Sequence, residues 1–200
     1  VVHIIQEEAG EDVLLLSGAG DGDINEPIRD SYISRVRWLV ANLLTALLGA
    51  TIISHFGGAI EKLVALAALS PMVASIGGNA GTQTMAVAVR ALATNQLTRA
   101  NTGRILLREL RVAMLNGVTV ALLIGIATAL FFANPLLGVV IGTAVVVNII
   151  TAGLAGVIVP VLFDRFDQDP AVASSVFVTM ITDSMGFFAF LGLAVASGLV

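Results

Sequence analysis

From about residue 36 onward the chain is a series of five long apolar runs separated by short clusters of polar residues, Gly and Pro. The first spans about Val36 to Phe56 and the second about Ile60 to Ala93. The third covers about Ile105 to Phe132, the fourth Leu136 to Phe163 and the fifth Val172 to Val200. Apolar runs of about 18 residues or more with few charges read as membrane-crossing helices. The second run exceeds one crossing: as a single helix it would extend roughly 50 Å against a hydrocarbon core of about 30 Å, so it must tilt, break or project. Asn134-Pro135 ends the third run, and Asp164-Arg165-Phe166-Asp167-Gln168-Asp169-Pro170 forms the turn before the fifth.

The first 30 residues follow another pattern. Glu7, Glu8, Glu11, Asp12, Asp21, Asp23, Glu26 and Asp30 face a single base, Arg29, while Gly18, Gly20, Gly22 and Pro27 interrupt any long periodicity. Residues 1–30 are expected to be an acidic cytosolic linker, either simply solvated or the tail of a cytosolic domain that feeds a connecting helix into the membrane. The chain opens on Val with no basic segment before the first run, so no signal peptide is read there. Residues 31–200 are expected to form one all-α transmembrane domain of five helices.

Composition supports the membrane reading. The 200 residues are 57% hydrophobic and only 12% charged, with mean hydropathy +0.97, whereas soluble domains are about 45–50% apolar and about 25% charged. Small residues recur at four-residue spacing, Gly117, Ala121, Gly125 and Ala129 in the third run and Gly138 and Gly142 in the fourth, as close helix packing requires. The absence of Cys excludes disulfides, thiolate metal sites and cysteine nucleophiles.

Charge distribution sets an orientation. Arg29, Arg35 and Arg37 precede the first run, Arg90, Arg99, Arg104, Arg108 and Arg111 cluster around the second turn, and Arg165 lies in the fourth. The opposite side carries only Lys62, so nine of the ten bases are on one side. The excess of bases marks the cytosolic face, which puts the N-terminus in the cytosol and, after five crossings, the C-terminus outside. The expected location is the plasma (bacterial inner) membrane, crossed several times. Glu109 reads as the charged entrance to the third run, and His55 as an interfacial residue.

Against this background two features stand out. The second run contains Ser70-Pro71-Met72-Val73-Ala74-Ser75-Ile76-Gly77-Gly78-Asn79-Ala80-Gly81-Thr82-Gln83-Thr84. Polar or irregular chain at membrane depth survives only inside protein or beside water. Glycine admits close backbone approach and frees carbonyls, and Asn79, Thr82 and Gln83 add side-chain oxygens. The stretch is also open to a plainer reading as a tight helix crossing with a kink at Pro71.

The second feature is Asp183, the one carboxylate well inside an apolar run. Such a residue costs about 2.5–3.5 kcal/mol on insertion scales, so it needs protein, water or an ion around it. No Lys or Arg lies at comparable depth in any run, which leaves a cation or a proton as its compensation. Ser175, Thr179, Thr182 and Gly186 fall on or beside its helical face. Measured from the cytosolic ends, Asp183 lies roughly 17 Å in along the fifth run and Gly78 roughly 18 Å in along the second, so the two should meet. The candidate lining is thus Ser75, Gly77, Gly81 and Gln83 with Thr182 and Gly186. An oxygen-only site with one carboxylate suits a hard cation such as Mg²⁺, which keeps much of its water. A single carboxylate is thin for a divalent ion, and a two-fold dimer would supply a second. Asn42, Asn116 and Asn148 are either interhelical hydrogen bonds or pathway groups.

The segment Pro71 to Ala93, with Gly77-Gly78-Asn79-Ala80-Gly81-Thr82-Gln83-Thr84 and Val89-Arg90-Ala91-Leu92-Ala93, resembles the second membrane helix of the MgtE magnesium channels. Leu110–Gly117, Asp169-Pro170-Ala171 and Thr182-Asp183 followed by Gly186-Phe187 match further patterns of that family, as do Arg35–Leu39 and Glu7–Gly18. The resemblance implies a homodimer in membrane lipid with a central pore lined by the second and fifth runs. It implies hydrated Mg²⁺, as the transported ion, held near Asp183 with help from Gly78, Asn79, Thr82, Ser175 and Thr179. Where many members have Gly-Pro, this chain has Ser175-Val176. The family's cytosolic N-terminal and CBS domains, which sense Mg²⁺ and close the pore, have no counterpart in this sequence. No nucleic-acid partner is expected. A secondary transporter exchanging Mg²⁺ for H⁺ or Na⁺ fits the same residues. An intramembrane enzyme finds no carboxylate pair, Ser/His arrangement or ligand cluster within one chain, so no enzymatic activity is expected.

Overall fold

The computed structural model describes residues 25, 27–167 and 170–200. The linker expected over residues 1–30 and part of the turn before the fifth run therefore lie largely outside the described residues. Among those, six helices follow in order: α1 Ile28–His55, α2 Gly57–Lys62, α3 Ala65–Ala93, α4 Thr102–Phe131, α5 Pro135–Arg165 and α6 Pro170–Ala196. No strand occurs among the described residues.

Helices α1, α4 and α5 and the Ser174–Ala196 part of α6 are long and apolar enough to cross a membrane. Helix α3 has the length, at 29 residues, but not the composition. Its Ser70, Asn79, Thr82, Gln83 and Thr84 lower its hydropathy, so four helices rather than five meet the measure among the described residues. The second apolar run also divides. Leu63 takes up extended backbone (φ −139°, ψ 92°) after α2, and α3 begins two residues later. The excess length is thus relieved by a break.

Pro71 lies inside α3 without ending it. Its ring removes the N–H that would pair with the Ala67 carbonyl, a loss taken within the first two turns of the helix. Beside it the Ser70 hydroxyl donates to the Leu66 carbonyl at 2.6 Å. The glycine-rich stretch is regular helix throughout, so it offers side chains and close packing rather than an unwound backbone.

The turns follow from local chemistry. Asn134 caps α5 by accepting from the Leu137 amide at 3.1 Å, and Pro135 occupies the first helical position, where its missing donor costs nothing. Asn95 and Asp167, both with positive φ, close the ends of α3 and α5. Asn101 ties the α3–α4 turn by accepting from the Thr98 amide and donating to the Gln96 carbonyl, each at 2.8 Å.

Helix α5 is the central post, packed against α3, α4 and α6. Its partnership with α4 rests on the small residues. A Cβ placed on Gly125 would stand 2.9 Å from the Gly138 carbonyl oxygen, and one on Gly142 3.2 Å from that of Ala121. One on Gly138 would stand 2.8 Å from the Ala129 Cβ. Without a hydrophobic drive between helices in lipid, such backbone approach supplies the adhesion. A core of Leu66 and Val73 from α3, Leu137, Ile141 and Val145 from α5 and Phe190 and Leu191 from α6 is completely shielded. Helix α1 stands apart, leaning mainly on α6 with Gly49 against the Phe187 ring. Its Leu39, Leu43, Leu44 and Leu47 face outward.

Candidate functional site

The two sequence features come together where α3 passes α6. A Cβ on Gly81 would stand 2.7 Å from Val178 Cγ1 and 3.3 Å from Thr182 Cγ2. A Cβ on Gly78 would have Thr182 Oγ1 as its nearest neighbour from another helix, at 3.9 Å. Asp183 follows Thr182 directly, so it stands level with the Gly78–Gly81 turn.

Each helix turns a polar row to the outside of the single chain. On α3, Ser75, Asn79 and Thr82 are exposed at helical spacing i, i+4 and i+7. On α6, Ser175, Thr179 and Asp183 are half-buried at i, i+4 and i+8. The Thr82 hydroxyl donates to the Gly78 carbonyl at 2.9 Å, which leaves its lone pairs directed outward as acceptors. Asp183 makes no ion pair among the described residues, whereas Arg108 pairs with Glu109.

Other expected lining residues lie elsewhere. Gly77, Gly81, Thr182 and Gly186 are buried between helices of the same chain, so they shape the packing and do not face the open rows. Thr182 turns inward and donates to the Thr179 carbonyl at 3.1 Å. Gln83 lines a cavity of about 220 Å³ between α3, α4 and α5, together with Arg108, Glu109 and Asn116. The reason is geometric: a glycine that admits a neighbouring helix reads in sequence like one that admits an ion.

The asparagines separate in the same way. Asn42 donates to the Trp38 carbonyl of its own helix at 3.0 Å, a bond within α1 rather than between helices. Asn116 lines the cavity with Gln83. Asn148 is fully buried and donates across helices to the Val73 carbonyl at 2.9 Å. Of the two roles the sequence left open, its position among α3, α5 and α6 is that of an interhelical hydrogen bond. The signal was a lone amide in an otherwise apolar helix.

Among the described residues no three or more His, Asp or Glu gather as a metal cluster. The open rows instead supply neutral oxygens and one carboxylate per chain. Such a set holds a hard cation through its water and is poorly suited to a dehydrated transition metal.

A helical membrane domain with one unpaired carboxylate in an apolar helix, beside a polar, glycine-lined helix, has the architecture expected of membrane proteins that move ions or protons. The sequence profile described as "MgtE: Divalent cation transporter" matches residues 70–193, which include both rows. The chain belongs to the MgtE family. It is similar to the protein named magnesium transporter MgtE of Bacillus subtilis (strain 168), with 31% identity over 98% of this chain and 44% of the relative. The Enterococcus faecalis protein of that name is 34% identical over 92% of this chain and 40% of its own length. That of Thermus thermophilus is 32% identical over 97% and 44%. The chain thus spans less than half the length of these relatives.

Proposed function

We propose that this chain is the pore-forming part of a Mg²⁺ channel of the plasma membrane, conducting hydrated Mg²⁺ between two copies of itself. The observation that carries the reading is the placement of Asp183, unpaired and level with Asn79 and Thr82, on rows that open out of the single chain. A second copy about a two-fold axis closes these rows into one path and doubles the carboxylates. Two carboxylates at close range repel unless a cation lies between them, so the ion belongs to the stable state of the site.

In this reading α3 is the fifth crossing, screened from lipid by its own chain and its copy, which is why its polar residues are tolerated. The N-terminus is cytosolic and the C-terminus external, as the bases indicate. Asp183 supplies charge, and the side chains of Asn79, Thr82, Thr179 and Ser175 accept hydrogen bonds from the ion's water, while Gly78 keeps the helix slim beside Thr182. Six waters on a small divalent ion fit acceptors spread along two rows better than a tight cage. Closure by cytosolic Mg²⁺-sensing domains would reside in the part of the relatives' length outside this chain. The similarity to proteins named magnesium transporters supports the choice of ion.

The test is uptake into liposomes containing the purified chain, with Mg²⁺, Ca²⁺ and Mn²⁺ compared for the parent and Asp183→Asn. Loss of Mg²⁺ uptake in a folded variant is expected. Parent-level uptake would overturn the assignment.

A further inference from the structure

The amide of Asn148 occupies a slot between the two helices that carry the rows. A Cβ on Gly77 of α3 would stand 2.5 Å from Asn148 Cγ and 2.9 Å from its Oδ1. One on Gly186 of α6 would stand 2.7 Å from its Nδ2. Both glycines are therefore required by the presence of this side chain. At the same level the two helices nearly touch, with a Cβ on Gly186 standing 3.1 Å from Ala74 Cα. Asn148 Nδ2 donates to the Val73 carbonyl, while its Oδ1 is buried with no partner among the described residues.

A buried amide with one end unmatched is a cost to stability, and an aliphatic side chain of similar size would avoid it. What the amide provides is a flat spacer with one fixed anchor. The hydrogen bond holds it to α3 and Gly186 of α6 seats against its other edge, so the amide fixes how α6 is set against α3 where the two helices already meet. Gly77 lies two residues before Asn79, and Gly186 three residues after Asp183, so the spacer acts within one turn of the ligand row on each side.

We infer that Asn148 is a positioning residue for cation selection: it fixes the separation and rotation of α3 against α6, and through them the span from Asn79 and Thr82 to Asp183. This inference rests on the pore reading above. It goes beyond that reading by assigning selectivity to a residue that never faces the path. Discrimination between Mg²⁺ and the larger Ca²⁺ depends on ligand spacing and rigidity, which is what a spacer controls.

The experiment compares the parent, Asn148→Leu, Asn148→Ala, Gly186→Ala and Asp183→Asn in liposomes. It reads the half-saturating Mg²⁺ concentration, the maximal flux per folded dimer and the Mg²⁺:Ca²⁺ flux ratio. Leu removes the anchor and keeps the volume, Ala removes both, and Gly186→Ala displaces the intact amide. At least two of the three Asn148 and Gly186 variants should lower the flux ratio about threefold or more and raise half-saturation, while still folding and dimerising. If those that fold lose only maximal flux or thermal stability, with ratio and half-saturation at parent values, Asn148 is merely structural and the inference is overturned. If Asn148→Leu does not fold, Asn148→Ala and Gly186→Ala decide the matter alone. Failure of the two readings is separable. Parent-level flux in Asp183→Asn removes the pore reading itself, whereas lost flux there with an unchanged ratio at residue 148 removes only this one.

Discussion

Gly81 of α3 lies against Val178 of α6 so closely that a single added carbon would stand 2.7 Å from Val178 Cγ1. That approach is the seam on which the two polar rows are mounted, because Asn79 and Thr82 flank the glycine and Thr179 follows the valine. Gly81→Ala should lower the unfolding midpoint in detergent, with an overpacking cost of about 1–3 kcal/mol. Val178→Ala added to it should restore much of the loss. Recovery in the double variant, measured as a thermal shift, checks that these two residues meet.

Asp183 carries the only charge on the rows. Asp183→Asn should keep the dimer and its melting temperature while reducing Mg²⁺ uptake about tenfold or more, since a neutral amide cannot offset a divalent charge. Asp183→Glu should fall between the two, because the charge remains but its reach changes. Liposome uptake with an internal Mg²⁺ indicator provides the measurement.

Asn79 and Gln83 stand one helical turn apart in the same motif but face different surroundings. Asn79→Ala should reduce Mg²⁺ flux several-fold, corresponding to roughly 1 kcal/mol or more for a lost water-mediated contact. Gln83→Ala should leave half-saturation near the parent value, because Gln83 lines the cavity beside Arg108 and Glu109. Equal effects of the two substitutions on half-saturation would contradict this division of the helix.

The chain has no cysteine, so single cysteines report orientation directly. In sealed vesicles, Arg99→Cys should react with an impermeant maleimide from the cytosolic side only. Ala133→Cys, in the α4–α5 turn, should react from the outside only. Both residues flanking α4 reacting from one side would refute the crossing order.

Flux in proteoliposomes should follow the Mg²⁺ gradient and an imposed voltage with no accompanying H⁺ or Na⁺ movement. A pH-sensitive dye or sodium tracer that moves in stoichiometric proportion to Mg²⁺ would instead assign exchange.

Helix placement was legible in the sequence because lipid imposes long apolar runs, and Asn134-Pro135 marked its boundary through chemistry local to the turn. The shared depth of Asp183 and Gly78 followed from counting residues from the basic ends. That the second run could break was legible from its length, but the position of the break at Leu63 was not, since an apolar residue in extended backbone resembles one in a helix. Nor was the split within the motif between Asn79, open to the outside, and Gly77, filled by Asn148. That distinction depends on which helix arrives at each face, and the answer sits some 70 residues away on α5.

Within its own chain helix α1 is anchored mainly on α6, where the Phe187 ring seats at Gly49, with Ile53 against the core near its C-terminal end. Phe187 is one helical turn beyond Asp183 on α6. The leading helix thus works as a lever whose main bearing is mounted on the helix that carries Asp183. A push or pull delivered at the N-terminal end of α1 would be spent on α6, at the depth of Asp183.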